Sequence, residues 1–335
     1  MNGLTANEII TKRLINDSKY SNLPIRRNTY LFDAFHGRRF DDNPYYLCMH
    51  FLKCGFMSPD DVTWVYNGNE VKNLIPDEFH KVEYGSEDFI KACYENENII
   101  TNCYISPLFT KRIGQYILNT WHGTGSFKKF GLDNPEEKRD EIIMEGPFYD
   151  EVYSTCEEQS EYIRRVLYMT NAKLVQDVPP RIKYLKENVE HWTKSNSEYI
   201  ILHAPTFRMN KGKVVETPLF DYEKVSKMIF DKSNLHVRFL TRLHYLDNVT
   251  KLPYYTKPDL SPHVMTSLFN ADFVITDYSS LMCDAKMMNK KGCIYYPDYG
   301  KHECQGFYNK PEDQGYPVAN NEEKIADLII KSLRR

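Results

Sequence analysis

The sequence predicts an α/β protein built from two parallel-sheet domains, and three features of the chain lead to this prediction. The chain has 335 residues, which suits two domains of moderate size better than one. Short apolar runs rich in β-branched residues alternate with helical patterns in both halves. Polar motifs follow several of the predicted strands, at the end where parallel sheets bind ligands. We therefore expect one domain at residues 1–190 and a second at 191–335.

The first half of the chain alternates between strand and helix patterns. The predicted strands are 28–35, 62–66, 98–104, 115–121 and 151–155. The predicted helices are 42–55, 88–94 and 157–167. The first of these helices begins with Asp42-Asn43-Pro44, because a capping side chain and a proline in the first turn favour a helix start. The charged run 183–196 is interpreted as the last helix of this domain followed by a linker.

The second half repeats the alternation. The predicted strands are 199–204, 237–241, 273–276 and 292–296, and the predicted helices are 220–230, 262–270, 281–288 and 322–333. Between the strand that ends at Thr276 and the helix that begins at Leu281, the sequence predicts a tight turn with Ser279 or Asp277 as the helix cap. The first turn of such a helix attracts anions, although an ordinary capped helix is the commoner outcome.

Composition excludes several classes of function. The net charge is −3 and no dense basic tract is present, so a nucleic-acid partner is not expected. The first residues lack a secretory pattern, and no apolar stretch approaches the roughly 20 residues that span a bilayer. The 8 cysteines are scattered without a Cys-x-x-Cys pair, which predicts reduced thiols, no zinc site and a cytoplasmic protein. A membrane-surface location stays open, because it needs only a basic or amphipathic patch.

Four motifs follow predicted strands in chain order. They are Trp121-His122-Gly123-Thr124 with Lys128-Lys129, then His203-Ala204-Pro205-Thr206-Phe207-Arg208, then Arg242-Leu243-His244, and finally Thr276-Asp277-Tyr278-Ser279-Ser280 with Asp284. Weaker matches are Phe35-His36-Gly37, Asp42-Asn43-Pro44 and Pro180-Arg181. Together these segments, from about residue 28 to 318, resemble the signature of the CDP-glycerol glycerophosphotransferase family. That family contains teichoic acid primases and polymerases and their capsule-polymer relatives.

The resemblance implies a GT-B-like fold, with two Rossmann-like domains that face each other across a central cleft. The first domain would hold the acceptor and the second the CDP donor. The implied reaction transfers glycerol phosphate or ribitol phosphate from the CDP-activated donor to a hydroxyl of a cell-wall teichoic acid or capsule polysaccharide, and CMP leaves. The implied acceptor is a lipid-linked or polymeric anionic glycan, which suggests a cytoplasmic enzyme at the inner face of the membrane. No cofactor is implied, and no carboxylate pair in the sequence predicts a required metal.

The resemblance also implies roles for the two motif histidines. Imidazole titrates near neutrality, so His122 suits the general base that removes the proton from the acceptor hydroxyl. Gly123 after it leaves room for a close approach. His244 is assigned to the donor phosphates, as a hydrogen-bond donor or a cation. Thr124, which follows Gly123 in the same motif, is also expected on the acceptor side.

Further residues are assigned with alternatives that the sequence leaves open. The donor phosphates are expected to contact Arg208, Arg242, Ser279, Ser280 and Asp277. For Arg208 the alternative is a surface arginine, for Arg242 an acceptor contact or a structural ion pair, and for Asp277 a role in ordering the turn. Thr206 and Asp284 are interpreted as nucleotide contacts or structural residues. Lys128 and Lys129 meet either an anionic acceptor or solvent.

Two other functions fit the same pattern. A GT-B glycosyltransferase that uses a nucleotide sugar would share the fold and the phosphate site. A non-catalytic relative that binds a nucleotide or a polymer is the second alternative, and the presence of both motif histidines argues against it. Gly125 and Tyr245 stand where the family usually has proline, which leaves the identity of the donor polyol and of the acceptor open.

Overall fold

The computed structural model of the chain describes residues 4–123, 125, 128–135, 137–155, 157–188, 198–210, 213–243, 247, 251–298, 306–308 and 310–333. The chain divides into two compact units. Unit 1 comprises Met1–His122 and Phe130–Asn188, and unit 2 comprises Gly123–Lys129 and Val189–Arg335. The structure therefore differs from a single boundary at residue 190, because it groups the short segment after His122 with unit 2.

Unit 1 is organised around a parallel sheet. Its strands are β1 (Arg26–Asp33), β2 (Val62–Tyr66), β3 (His80–Glu83), β4 (Asn96–Thr101), β5 (Tyr116–Asn119), β6 (Glu151–Ser154) and β7 (Lys173–Gln176). Among the described residues these form a 7-stranded sheet in the order β3-β2-β1-β4-β5-β6-β7, in which every pairing is parallel. The chain direction across the sheet reverses between β1 and β4, which creates the kind of switch point where α/β sheets bind ligands.

Helices cover both faces of this sheet. They are α1 (Ala6–Tyr20), α2 (Asp42–Lys53), α3 (Asn69–Lys72), α4 (Glu87–Glu95), α5 (Arg139–Glu145), α6 (Glu157–Val166) and α7 (Pro180–Glu187). Successive side chains of a strand point to opposite faces, so Leu31 and Phe32 belong to two different hydrophobic clusters. The same separation holds for Ile99 and Ile100. Burial on both faces is why these strands are continuous apolar runs in the sequence.

Unit 2 has the same type of architecture. Its strands are β8 (Tyr199–Ala204), β9 (Arg208–Asn210), β10 (Lys213–Val215), β11 (Val237–Thr241), β12 (Thr256–Pro258), β13 (Phe273–Thr276), β14 (Lys291–Tyr295) and β15 (Val318–Ala319). Its helices are α8 (Tyr222–Ser233), α9 (Val264–Asn270), α10 (Leu281–Met287) and α11 (Glu322–Leu333). In the described part of unit 2 a parallel sheet runs β12-β11-β8-β13-β14-β15, and β9 and β10 form an antiparallel pair. Its switch point lies between β8 and β13.

Most of the predicted elements are confirmed, and the differences lie mainly at their ends. The predicted strand 28–35 ends two residues early, at Asp33, because Phe35 and His36 adopt positive φ angles of 54° and 58°. The predicted cap residue Ser279 contacts the first turn of α10, although the cap position itself is one residue later. Ser280 occupies the cap position without a side-chain cap bond, and the Ser279 hydroxyl accepts from the Leu281 N–H at 3.2 Å.

Several elements were not predicted from the sequence. Helix α1 was missed, and so were the edge strands β3 and β7, the short strands β12 and β15, and the β9–β10 pair. Among the residues that the structure describes, no helix is long and apolar enough to cross a membrane.

Candidate active site

His122 lies just beyond the carboxyl end of β5. Strand β5 ends at Asn119, and the chain then passes through Trp121, whose φ of +48° is unusual for a bulky residue. The Asn119 side chain accepts from the Trp121 N–H at 2.8 Å, which stabilises this turn. The conformation directs the chain away from the sheet at the position of the motif histidine.

Helices α2 and α7 hold this turn by their first residues. The buried Asn43 side chain donates to the carbonyl oxygen of Trp121 at 2.7 Å and to that of Thr120 at 3.3 Å, and it accepts from the Arg181 N–H at 3.2 Å. The Arg181 guanidinium donates to the His122 carbonyl oxygen at 3.0 Å and to the Asp42 carboxylate at 2.8 Å. The Arg181 side chain is 3% exposed, so this ion pair is well shielded from water.

The orientation of the His122 ring determines its protonation pattern. Its Nδ1 lies 2.8 Å from the carbonyl oxygen of Asn102, the residue that follows β4. A carbonyl oxygen only accepts, so Nδ1 carries the hydrogen and the neutral ring has its lone pair on Nε2. Burial lowers the pKa of His122, whereas the hydrogen bond to Asn102 and the nearby Asp42 carboxylate oppose that shift. The ring is therefore a neutral base over a wider range of acidic pH than free imidazole.

Aromatic rings confine the imidazole from two sides. The Trp121 ring centroid is 4.3 Å from that of His122, and the Phe35 centroid is 5.2 Å away. Phe35 lies in the loop after β1, where Gly37 has a φ of +72° and a Cβ would lie 2.5 Å from the Tyr66 carbonyl carbon. Only glycine fits that close approach, so the weak match at 35–37 in the sequence marks a loop that packs against the histidine.

In unit 2, Asp277 is the centre of a buried polar network between the loops after β8 and β13. Its carboxylate accepts from the Thr206 N–H at 3.0 Å and from the Thr206 hydroxyl at 2.9 Å. It also accepts from the Tyr278 N–H at 2.6 Å and from the Arg208 guanidinium at 2.7 Å. Asp277 and Thr206 therefore have the structural roles that the sequence analysis kept as alternatives.

Arg208, which is predicted to contact the donor phosphates, lies in a buried position beside acidic side chains. Its side chain is 2% exposed and lies between two carboxylates, with Nη1 2.7 Å from Asp277 and Nε 2.7 Å from Asp298. Burial opposes the charge, but the hydrogen bonds to Asp298 and Asp277 outweigh it and raise the pKa of Arg208. Since two carboxylates already compensate the guanidinium, it has no excess positive charge to offer a phosphate.

Arg242 likewise forms a structural ion pair, one of the alternatives open in the sequence. Its Nη1 lies 2.8 Å from the Asp259 carboxylate and donates to the Ser261 carbonyl oxygen at 2.8 Å. The pair ties the end of β11 to the loop after β12. A contact with donor phosphates is therefore not supported for Arg242 either.

Gly125 and Lys128 lie in unit 2, near α10 and the turn that precedes it. A Cβ at Gly125 would lie 3.0 Å from the Cys283 sulfur, so glycine suits this contact with α10. Lys128 bridges to Phe307, and its ammonium lies 5.9 Å from the centroid of the Tyr278 ring. Gly123, Lys128 and Lys129 thus belong with the unit that carries Ser279 and Ser280, and not with the first domain as predicted.

The remaining predicted site residues lie at the start of α10 or outside the described residues. Ser279 and Ser280 lie partly exposed before α10, and Asp284 is buried in its first turn. Thr124 and His244 lie outside the described residues.

The residues that hold His122, namely Asp42, Asn43, Asn102 and Arg181, were not selected from the sequence. Three of them, Asp42, Asn43 and Arg181, lie in the weak motif matches Asp42-Asn43-Pro44 and Pro180-Arg181, so a sequence signal for them exists.

A family profile and curated relatives match most of the chain. The profile of the CDP-Glycerol:Poly(glycerophosphate) glycerophosphotransferase family matches residues 17–335. A teichoic acid poly(glycerol phosphate) polymerase of Staphylococcus epidermidis is 26% identical over 88% of this chain, and the chain spans 44% of that relative's length. A teichoic acid glycerol-phosphate transferase of Staphylococcus aureus is 26% identical over 95% of this chain and 88% of its own.

Solved structures with the same fold cover nearly the whole chain. The wall teichoic acid polymerase TagF has a TM-score of 0.76 at 22% identity, covering 98% of this chain and 85% of that chain. The UDP-GlcNAc 2-epimerase of Methanocaldococcus jannaschii has a TM-score of 0.51 at 12% identity, covering 92% and 93%. These likenesses confirm the predicted fold class, a GT-B-like α/β fold with parallel sheets in both units.

Proposed function

The chain belongs to the CDP-glycerol:poly(glycerophosphate) glycerophosphotransferase family, and from this premise we propose that it transfers a polyol phosphate from a CDP-activated donor to an acceptor hydroxyl. The donated group is glycerol phosphate or ribitol phosphate, and the acceptor is a teichoic acid or capsule glycan. Relatives that are named as glycerol-phosphate and ribitol-phosphate polymerases support both candidate donors.

The observation that carries this proposal is the fixed protonation pattern of His122. In the proposed reaction Nε2 takes the proton of the acceptor hydroxyl, and the resulting oxygen attacks the β-phosphorus of the donor. The bond from that phosphorus to the bridging oxygen breaks, and CMP leaves with its electron pair. The Nδ1–H bond to the Asn102 carbonyl orients the ring and stabilises the imidazolium that forms.

For the donor phosphates we propose His244 together with Ser279 and Ser280. Ser279 and Ser280 are partly exposed at the carboxyl end of β13, the strand at the switch point of unit 2. Arg208 and Arg242 are not included in this proposal, because each already forms an ion pair with aspartate. A histidine and hydroxyl or backbone N–H donors then provide the hydrogen bonds to the pyrophosphate.

The test is CMP release from CDP-glycerol and from CDP-ribitol in the presence of a short polyol-phosphate acceptor. We expect release that depends on the acceptor and falls by about 10²–10⁴-fold in His122→Ala, the range for loss of a general base. His80→Ala is the matched control, because His80 is an exposed histidine on edge strand β3 of the same unit. It should retain the wild-type rate.

Either of two results would contradict the proposal. Turnover that is unchanged in His122→Ala would exclude this residue as the base. Turnover of UDP- or GDP-sugars but of neither CDP-polyol would favour a glycosyltransferase instead, on the same fold.

We also propose that the chain works in the cytoplasm at the inner face of the cell membrane, because its proposed donor is a water-soluble nucleotide and its acceptor is lipid-linked. Co-sedimentation with anionic phospholipid vesicles, weakened by salt, is the expected result. Protein that stays in the supernatant at low salt would contradict this location.

A further inference from the structure

Unit 1 contains a cavity of about 440 Å³ that is separate from the candidate active site. Helices α2 and α7 wall it, and strands β1, β4, β5 and β6 form its floor. Tyr116 and Glu151, the first residues of β5 and β6, line it. None of the residues that contact the His122 ring or its backbone carbonyl, namely Phe35, Asn102, Trp121 and Arg181, lines the cavity. Its size falls within the range of ligand pockets, about 300–1,000 Å³.

Tyrosine is the most frequent residue type in the lining of this cavity. The five tyrosines that contribute are Tyr30, Tyr46, Tyr116, Tyr153 and Tyr184. The chain contains 25 tyrosines, and five of them line this one cavity. A tyrosine side chain combines a rigid apolar ring with a polar tip, and it loses little conformational entropy when it binds a ligand.

Polar groups surround the tyrosine rings without an excess of either charge. Glu151 accepts from the Tyr116 hydroxyl at 2.8 Å. At the rim, His50 lies 3.9 Å from the carboxylate of Glu187. The ammonium of Lys183 is 3.7 Å from the Asp177 carboxylate, so an anion would find no uncompensated cation among these groups.

We propose that this cavity binds an uncharged sugar ring. A sugar presents apolar C–H faces that pack on aromatic rings and hydroxyl groups that bond to carboxylate, amide and imidazole groups. The Asn98, His50 and Glu187 side chains, all of which line the cavity, provide such partners. The site goes beyond the proposed transfer reaction and does not depend on it.

Two other ligand classes fit this lining less well. An anionic ring or polymer would place its charge near the Glu151 and Glu187 carboxylates, while the nearby Lys173 and Lys183 ammonium groups already pair with carboxylates. An alkyl chain would remove water from phenol, amide and carboxylate groups without replacing their hydrogen bonds, at a cost of about 1–3 kcal/mol for each group.

Saturation-transfer NMR on the full chain tests the proposal with three small probes. They are methyl β-glucopyranoside, glucuronate as its anionic counterpart, and hexanol as an apolar chain. We expect saturation transfer to the glucoside alone. Leu47→Trp fills the cavity from α2, and Tyr184→Leu removes an aromatic wall from α7. Each should weaken the apparent affinity by about tenfold or more, equivalent to ~1.4 kcal/mol.

Lys186→Trp is the matched control, since it adds the same ring to an exposed position of α7 that does not line the cavity. It should bind the glucoside like wild type, and so should His122→Ala. If Leu47→Trp does not fold, as judged by circular dichroism, Tyr184→Leu decides the outcome. Absence of glucoside binding, equal binding by glucuronate, or binding that survives the cavity variants would overturn the proposal.

Discussion

Two buried arginine–aspartate pairs, one in each unit, lie at the carboxyl ends of parallel strands but serve different purposes. In unit 1, Arg181 pairs with Asp42 and donates its second nitrogen to the backbone carbonyl of His122. In unit 2, Arg208 pairs with both Asp277 and Asp298, and these bonds stabilise the turn itself. The first pair fixes the position of a candidate catalytic residue, whereas the second compensates its own charge.

The position of an arginine in a motif does not determine its chemical role. Arg208 lies in one of the four strong motifs, yet its buried ion pairs leave it a structural residue. Arg181 lies in a weak match, yet its guanidinium contacts the backbone of the histidine on which the proposed reaction depends. Burial and partners, more than position in a motif, decide whether a cation holds the fold, orients another residue or meets a ligand.

The largest effect is expected from Arg208→Ala, which leaves the buried Asp277 carboxylate and the partly exposed Asp298 carboxylate without their cation. Loss of one partner of a buried pair costs about 3–5 kcal/mol, so we expect the free energy of unfolding to fall by about that amount. Denaturant unfolding followed by circular dichroism measures the change. The control is Arg238→Ala, which breaks an exposed pair with Glu198 in the same unit and should cost about 1 kcal/mol or less.

A different outcome would break the comparison. If Arg208→Ala keeps its stability but loses affinity for the CDP donor, Arg208 is a phosphate ligand. Both arginines would then serve the proposed reaction, and the contrast between the two pairs would not hold.

A smaller effect, on catalysis, is expected from Arg181→Ala. The change leaves the Asp42 carboxylate and the His122 carbonyl oxygen without their shared donor, and an unsatisfied buried acceptor costs about 1–3 kcal/mol. We expect kcat to fall by about 10–100-fold with a smaller change in KM, because the histidine is displaced while substrate contacts remain. Steady-state CMP release measures both constants.

Arg181→Lys sharpens this test. An ammonium can keep the ion pair with Asp42 but lacks the planar fork that reaches two acceptors at once, so an intermediate kcat is expected. Wild-type activity in Arg181→Lys would mean that the bond to the His122 carbonyl is unimportant. Wild-type kcat in Arg181→Ala would remove the positioning role altogether.

The smallest effect is expected in the pH dependence of kcat/KM. Burial lowers the pKa of His122, so the neutral base persists as pH falls and the acid limb of the profile should lie below about 6.5, the value for free histidine. The Arg181 charge also lowers this pKa and the Asp42 charge raises it. Arg181→Ala should therefore move the acid limb toward higher pH, a shift that a purely structural role would not produce.

A profile whose acid limb stays in place in Arg181→Ala would show that the guanidinium does not act on the imidazole electrostatically. Arg238→Ala, in the other unit, should leave the limb unchanged and serves as the control for this measurement.

The elements that the sequence missed have a common physical basis. Helix α1 exposes Ile10, Leu14 and Ile15, so its apolar residues do not follow the pattern of a helix with one buried face. Strands β3 and β7 are edge strands of four residues each that mix charged and apolar side chains. Such segments are defined by pairing with a neighbour, and a local pattern carries little of that information.

The sequence by itself determined the alternation of strands and helices, the parallel sheets and the placement of His122 after a strand. Those features follow from local periodicity, because an apolar run buried on both faces and a polar residue at its end are visible within a few residues. Only the tertiary structure decided that Asn102 fixes the imidazole tautomer, that Asp42 and Arg181 meet at the histidine backbone, and that Arg208 is compensated by two carboxylates. Each of these contacts joins segments distant in the chain, and hydrogen bonds and burial at such distances depend on how the strands are ordered in the sheets.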